Sequence, residues 1–126
     1  MSPDPLALLP TNKMDTERAT AIVALGYPAV APVLAELLTW LQDVNWPVAS
    51  VLAPFLASIG TPLATYALEV LRTDDDLWKL NVLQSVVAKS PELRREMLSE
   101  IRRIAMSPTP GERAEGVDTL AGELLA

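Results

Sequence analysis

The sequence repeats itself with a period close to 34 residues, and this constrains the fold more than any single motif does. Residues 25–28, Leu-Gly-Tyr-Pro, return 34 positions later as Ile-Gly-Thr-Pro at 59–62. The turn at 43–46 is partly echoed at 75–78, with an offset of 32. A period of this length is typical of stacked helical hairpins, because each hairpin can bury its apolar face only against its neighbours.

Apolar residues at spacings of three and four predict seven helices, which makes the fold class all-α. Capping residues, prolines and glycines place the breaks near residues 26, 43, 60, 74, 90 and 109. Pro54 is expected to bend the third helix. The predicted helices span about 16–25, 28–41, 47–59, 62–72, 76–88, 91–105 and 110–124, preceded by an irregular arm at 1–12.

Composition narrows the possible chemistry. The chain has 126 residues, which suits a single domain over 1–126, and its core must be aliphatic because only 5% of the residues are aromatic. It contains no Cys and no His, so the usual zinc ligands and a His-assisted nucleophile are both absent. We therefore predict no catalytic residues, no metal site and no cofactor.

Charge and hydropathy indicate the kind of partner. The net charge of −6 repels a phosphate backbone, so the sequence predicts no nucleic-acid binding and favours a protein partner with a basic surface. Residues 1–88 carry four basic and nine acidic side chains, whereas residues 89–126 carry six and seven. No apolar run approaches 18 residues and the first residues do not resemble a secretory signal. We expect a cytoplasmic protein that binds no membrane, with its oligomeric state left open.

Residues 43–48, Asp-Val-Asn-Trp-Pro-Val, and the closing Ile59-Gly60 resemble a HEAT repeat, with its acidic turn, Pro-Val at helix entry and final Ile-Gly. Ala49 stands where such a repeat usually has Arg, so the usual ion pair between helices is not expected. Nearly the whole chain resembles a family of small bacterial HEAT-like proteins of unknown function. The resemblance implies an α/α superhelix of about three stacked hairpins plus a C-terminal helix, and such families often occur among toxin-neutralising immunity proteins.

The candidate partner-binding surface joins two turns that occupy equivalent places in successive repeats. Acidic residues there would steer a basic partner, and indole faces would hold its Arg or Lys side chains. Two structural alternatives stay open, namely that each Trp seals a joint between repeats and that the Asp run caps a helix. The candidate residues are Trp40, Asp43, Asn45, Trp46, Asp74, Asp75, Asp76, Trp78 and Lys79.

A second charged segment has a simpler interpretation. Four arginines, Arg94, Arg95, Arg102 and Arg103, share the sixth predicted helix with interleaved glutamates. Mixed charges of this kind are typical of a solvated helix surface with local ion pairs.

The leading hypothesis is a non-enzymatic protein–protein interaction module with an acidic, aromatic edge, and one form of it is a toxin-neutralising immunity protein. Two alternatives belong to other classes. Some HEAT-like folds modify nucleic acid with Trp and Asp on a concave surface, although the net charge here opposes that substrate. A subunit of a permanent assembly would instead expose a large apolar patch.

Overall fold

The computed structural model describes residues 3–126, and all regular structure within them is helical, which confirms the all-α prediction. The first two positions of the predicted arm lie outside the described residues. Short 3-10 segments flank several α-helices: Ala31–Val33, Trp40–Gln42, Thr61–Leu63 and Val87–Lys89. The α-helices of this part of the chain are α1 Thr16–Leu25, α2 Leu34–Thr39, α3 Pro47–Ile59, α4 Ala64–Leu71, α5 Asp76–Ser85, α6 Pro91–Glu96, α7 Leu98–Met106, α8 Pro110–Ala114 and α9 Val117–Leu125.

Helix starts follow the capping residues of the sequence. The Asp15 side chain accepts a hydrogen bond from the Arg18 amide at the start of α1, and Ser90 does the same for Leu93 at the start of α6. Such caps satisfy amides that have no partner inside the helix. α3 begins at Pro47 and ends before Gly60, as predicted, and it continues through Pro54 as one helix.

Two predicted helices are each divided in two. The segment 91–105 breaks at Met97, whose φ of −105° and ψ of 7° leave the helical region while its side chain is fully buried. The segment 110–124 breaks at Gly116, which has a left-handed conformation with φ 77°. Glycine tolerates that conformation because it has no Cβ. The predicted helix at 28–41 is α-helical only over α2 and has 3-10 turns at both ends.

The N-terminal arm is more regular than predicted. Residues Pro5–Leu8 form a 3-10 turn capped by the Asp4 side chain. The Arg18 guanidinium donates to the Ala7 carbonyl oxygen at 2.7 Å, which ties the arm to α1. Leu8 and Leu9 pack against the core, whereas Leu6 is exposed.

Alternate helices pack on one another, with α1 against α3, α3 against α5 and α2 against α4. At the other end, α9 lies between α5 and α7. The fully buried aliphatic side chains of these helices form one continuous core, including Ile22, Leu37, Leu52, Leu71, Leu83 and Ile101. Within residues 3–126, no single helix is long and apolar enough to cross a membrane; only the pair Pro47–Ile59 and Thr61–Leu71, bent by 112°, reaches the required length and composition.

Gly60 ends α3 with a φ of 73° and a ψ of −138°. Residues that have a Cβ adopt this backbone conformation only with strain. We expect Gly60→Ala to lower the free energy of unfolding by about 1 to 3 kcal/mol. Gly122→Ala is the matched control, because Gly122 lies inside α9 with open space where its Cβ would stand. Chemical denaturation followed by circular dichroism would measure both. Equal stability of the two variants would contradict the assignment of strain to position 60.

Candidate functional site

The start of α3 is hydrogen-bonded to the residues before α1, and α5 is hydrogen-bonded to the segment before α3. The Val48 amide donates to the Lys13 carbonyl oxygen at 3.1 Å, which links the start of α3 to the residues before α1. The Asn81 side-chain amide donates to the carbonyl oxygens of Leu41 and Gln42 at 2.9 and 3.2 Å. These bonds hold α5 against the turn before α3. The two turns that the sequence pairs by register therefore flank the same segment, residues 38–42.

Asp43 lies in the turn before α3, Asp74 and Asp75 lie in the turn before α5, and we call these three carboxylates the acidic edge. Asp74 also lines a depression that contains Arg72, Lys79 and Arg103. Asp43 accepts a hydrogen bond from the amide of the exposed Asn45 at 2.8 Å, which folds the turn before α3. Asp75 accepts from the Trp78 amide at 3.0 Å and caps α5, so the capping interpretation is confirmed for this residue. Asp74 is exposed. Among residues 3–126, none of these three carboxylates forms an ion pair.

The three tryptophans are partly buried at the joint between the two turns. The Trp78 indole N–H donates to the Leu38 carbonyl oxygen at 2.9 Å, so this ring bridges α5 and the end of α2. Trp40 and Trp46 meet edge to face, with ring centroids 6.0 Å apart and an interplanar angle of 70°. Edge-to-face contact is a favourable geometry for aromatic pairs. The rings hold the joint together, and each leaves part of its surface accessible to solvent.

Lys79, the last candidate of the sequence, points inward. Its side chain is only 4% exposed, and its ammonium lies 2.9 Å from Asp76 Oδ1 and 3.0 Å from Glu112 Oε2. Both carboxylates that pair with the Lys79 ammonium therefore come from the chain itself. Lys79 and Asp76 therefore belong to an internal network rather than to the acidic edge.

Glu112 is the centre of this network. It is fully buried, and the Arg103 guanidinium reaches both of its oxygens, with Nη1 2.9 Å from Oε1 and Nη2 2.7 Å from Oε2. A two-pronged contact of this kind is the strongest geometry for an Arg–carboxylate pair. The Thr109 amide also donates to Oε1 at 2.9 Å. The network joins α5 to α7 and α8 through one carboxylate.

These contacts shift the ionisation of their groups. The Arg103 hydrogen bonds, against the opposing effect of burial, lower the pKa of Glu112 to about 2. The same contact with Glu112 raises the pKa of Arg103. Burial disfavours the charged form of Lys79, but the hydrogen bonds that its ammonium donates to Asp76 and Glu112 outweigh this effect and raise the pKa of Lys79. All three groups are charged near neutral pH, so the Glu112 carboxylate is the negative centre between two cations.

Gly111 lets α8 approach α5 closely. A Cβ at this position would fall on the Asp76 carboxylate, so any larger residue would have to displace Asp76 from Lys79. Glycine is favoured where one backbone comes this near to another group. The turn 109–112, Thr-Pro-Gly-Glu, thus supplies both the Glu112 carboxylate and the close approach to Asp76 that the network requires.

Sequence reasoning missed Glu112, Arg103 and Asn81. One signal for Glu112 was available, since Thr109 and Glu112 have the spacing of a capping box, which the structure contains. Arg103 was assigned to a solvated surface. It does pair locally with Glu100 at 2.9 Å, but its contact with the buried Glu112 corrects that assignment. Within the described part of the chain, no three carboxylates converge to hold a metal ion.

The network gives a prediction with a defined pH dependence. We expect Glu112→Gln to lower the free energy of unfolding by about 2 to 4 kcal/mol at pH 7, because it leaves Arg103 and Lys79 short of a negative partner. A lowered pKa means that Glu112 contributes stability above its ordinary value of 4.5, and that this contribution is lost as pH falls toward 2. The difference between the two proteins should therefore shrink between pH 5 and pH 2.

Denaturation curves at several pH values would measure this difference. Glu123→Gln is the control, because Glu123 is exposed and forms no ion pair within residues 3–126. Its effect should stay small throughout. A gap between Glu112→Gln and the parent protein that is constant down to pH 2 would mean that the carboxylate's charge is not what stabilises the fold.

With this geometry in place, comparison with known proteins locates the chain in a family. No curated protein matches the sequence. A family model described as Domain of unknown function (DUF5071) matches residues 8–125. This range includes the acidic edge, the tryptophan joint and the Glu112 network. Because the match covers almost the entire sequence, the chain belongs to the DUF5071 family.

Proposed function

We propose that the chain is a non-enzymatic interaction module whose acidic edge binds the basic surface of a protein partner. One observation carries the proposal: Asp43, Asp74 and Asp75 lie in the turns before α3 and α5, α5 is hydrogen-bonded to residues 38–42, and no cation of residues 3–126 forms an ion pair with the three carboxylates. The nearest lysine in sequence, Lys79, is already held by Asp76 and Glu112. The edge keeps its negative charge for an external group.

The charge distribution along the chain supports a basic partner. The excess of acidic side chains lies in residues 1–88, which include the whole acidic edge. Clustered charge of one sign accelerates encounter with a partner of the opposite sign and sets the orientation of docking. The acidic edge would act first on the rate of association.

Apolar side chains beside the carboxylates supply contact area that the sequence did not indicate. Val44, between Asp43 and Asn45, is 39% exposed, and Leu77, in the first turn of α5, is 50% exposed. The long stems of Lys and Arg can lie on such surfaces while their charged ends reach carboxylates. Accessible parts of the indole rings at the joint extend the same surface.

A HEAT-like arrangement fits this use of the edge. The packing of α1 on α3 and of α2 on α4 is what two stacked helical hairpins would produce. Solenoids of this kind present their turns and helix starts in rows, and such rows form extended recognition surfaces. We include the HEAT-like superhelix and a bacterial, cytoplasmic setting in the proposal.

A toxin-neutralising, immunity-type role is the specific form that we propose for this module. A toxin with a basic active surface would match the acidic edge in charge, and occupying that surface would exclude its substrate. The edge needs no catalytic group for this role, since binding alone blocks the toxin.

Reversing one charge tests the proposal without disturbing the fold. Asp74 is exposed and makes no hydrogen bond in the described structure, so Asp74→Lys should leave the melting temperature unchanged. We expect it to weaken binding of a short Arg- and Lys-rich peptide about three- to tenfold at low salt. Titration calorimetry would measure the dissociation constant.

Glu96→Lys is the matched control, because it makes the same change of charge at an exposed position of α6. It should weaken peptide binding much less than Asp74→Lys. Equal weakening by both variants would indicate that only net charge matters, and would contradict a defined acidic edge.

A further inference from the structure

An open groove of about 870 Å³ runs along α3 and the end of α5, away from the Glu112 network. Its floor is small and apolar, with Ala53, Pro54 and Ala57 from α3 and Val44 at one end. Gln84 and Lys89 line its other side. Specific binding clefts commonly combine an apolar floor with a few polar groups of this kind.

The groove also contains a carbonyl group without its ordinary helical partner. Proline has no amide hydrogen, so Pro54 cannot donate to the carbonyl oxygen of Ser50, four residues earlier in α3. Ser50 and Pro54 both line the groove. A carbonyl oxygen that lacks this i+4 donor can accept a hydrogen bond from an external N–H group, and a peptide backbone carries such a group at almost every residue.

Positive charge gathers where the groove ends. Lys89, Ala57 and Ser58 also line an adjoining depression, which includes Glu92 and Arg95. Arg94 and Arg95 line the next depression along α6. Within residues 3–126, Lys89, Arg94 and Arg95 form no ion pair, so three cations face one carboxylate in a chain whose net charge is −6.

From these observations we propose that the groove binds a peptide segment of a partner protein, with small apolar side chains followed by Glu or Asp residues. The apolar side chains pack on Ala53 and Ala57, and a backbone N–H donates to the Ser50 carbonyl oxygen. The acidic side chains meet Lys89 and Arg95. Acidic side chains fit better than a single chain terminus, because several cations are available to receive them.

A nucleic acid fits this groove less well. None of its lining side chains is aromatic, whereas sites for single-stranded nucleic acid usually stack the bases on aromatic rings. The small apolar side chains of Ala53, Pro54 and Ala57 suit contact with aliphatic side chains instead. Val44 lines the groove and follows Asp43 in the sequence, so the groove adjoins the acidic edge, and the chain would offer two neighbouring binding surfaces of opposite charge.

Short synthetic peptides with blocked termini test the proposal. One peptide contains Ala, Val and Leu followed by two Glu. The matched control peptide has Lys in place of both Glu. NMR titration of the isotopically labelled full chain should shift the amides of Ala53, Ala57 and Ser58 with the Glu peptide. We expect this peptide to bind at least about fivefold more tightly than the Lys peptide. Equal affinities, or no shift at these residues at millimolar peptide, would overturn the proposal.

Substitution of Lys89 provides the second arm. Lys89→Glu should remove or reverse the preference for the Glu peptide. If this charge reversal disturbs folding, Lys89→Gln takes its place and should reduce the preference. Lys13→Glu is the matched control, since Lys13 is exposed near the start of α1. An unchanged preference in the folded Lys89 variants, or the same loss in Lys13→Glu, would overturn the role of Lys89.

Three further experiments test other possible occupants of the groove, namely a chain terminus, a nucleic acid and a second copy of the chain. A peptide of Ala, Val and Leu with a free carboxyl end and no Glu would overturn the assignment to acidic side chains if it bound as tightly as the Glu peptide. A single-stranded DNA oligonucleotide that displaced the Glu peptide would overturn it in favour of nucleic acid. Sedimentation of the chain alone tests whether a second copy occupies the groove. Self-association that Lys89→Glu abolishes would overturn the proposal in favour of a second copy. Failure of any arm leaves the acidic edge untouched, because that edge is tested with basic peptides.

Discussion

The fold depends on one constraint, which is that its helices are too short to be stable alone. The longest, α3, has 13 residues, and α2, α6 and α8 have only five or six. Isolated helices of this length are marginal in water, so helix formation and core packing must occur together. The continuous aliphatic core provides that coupling. Surface features such as the acidic edge hold their positions only because the core fixes the helix starts.

Polar contacts add specificity to this apolar packing. The Trp78 indole and the Asn81 amide donate to carbonyl oxygens of residues 38–42, where the short helix α2 ends and a 3-10 turn follows. At the other end, Glu112 connects α5, α7 and α8. Buried charges of this kind contribute less to net stability than apolar packing does, but removing one partner is strongly destabilising. These polar contacts therefore determine which helices pack next to one another.

Much of the fold could be predicted from the sequence, because its helix boundaries are marked locally. Asp15 and Gly60 bound α1 and α3 through capping and a positive φ, and both signals are local in the chain. The break at Met97 carries no such signal, since it depends on how a buried side chain fits the core. For the candidate site, register predicts that the turns at 43–46 and 75–78 are neighbours, and Trp78 and Asn81 do donate hydrogen bonds to residues 38–42, just before the first turn. It could not show that Lys79 turns inward, because its partner Glu112 is 33 residues away.

The tryptophan joint has a practical consequence for spectroscopy. All three indoles lie between residues 40 and 78, at the junction of α2, α3 and α5, and none lies in the last four helices. Intrinsic fluorescence therefore reports the environment of this junction alone, whereas far-ultraviolet dichroism averages over every helix. Two transitions that coincide in temperature would show that both ends of the core melt as one cooperative unit. Two that separate would give a spectroscopic measure of how weakly the two ends of the core are coupled.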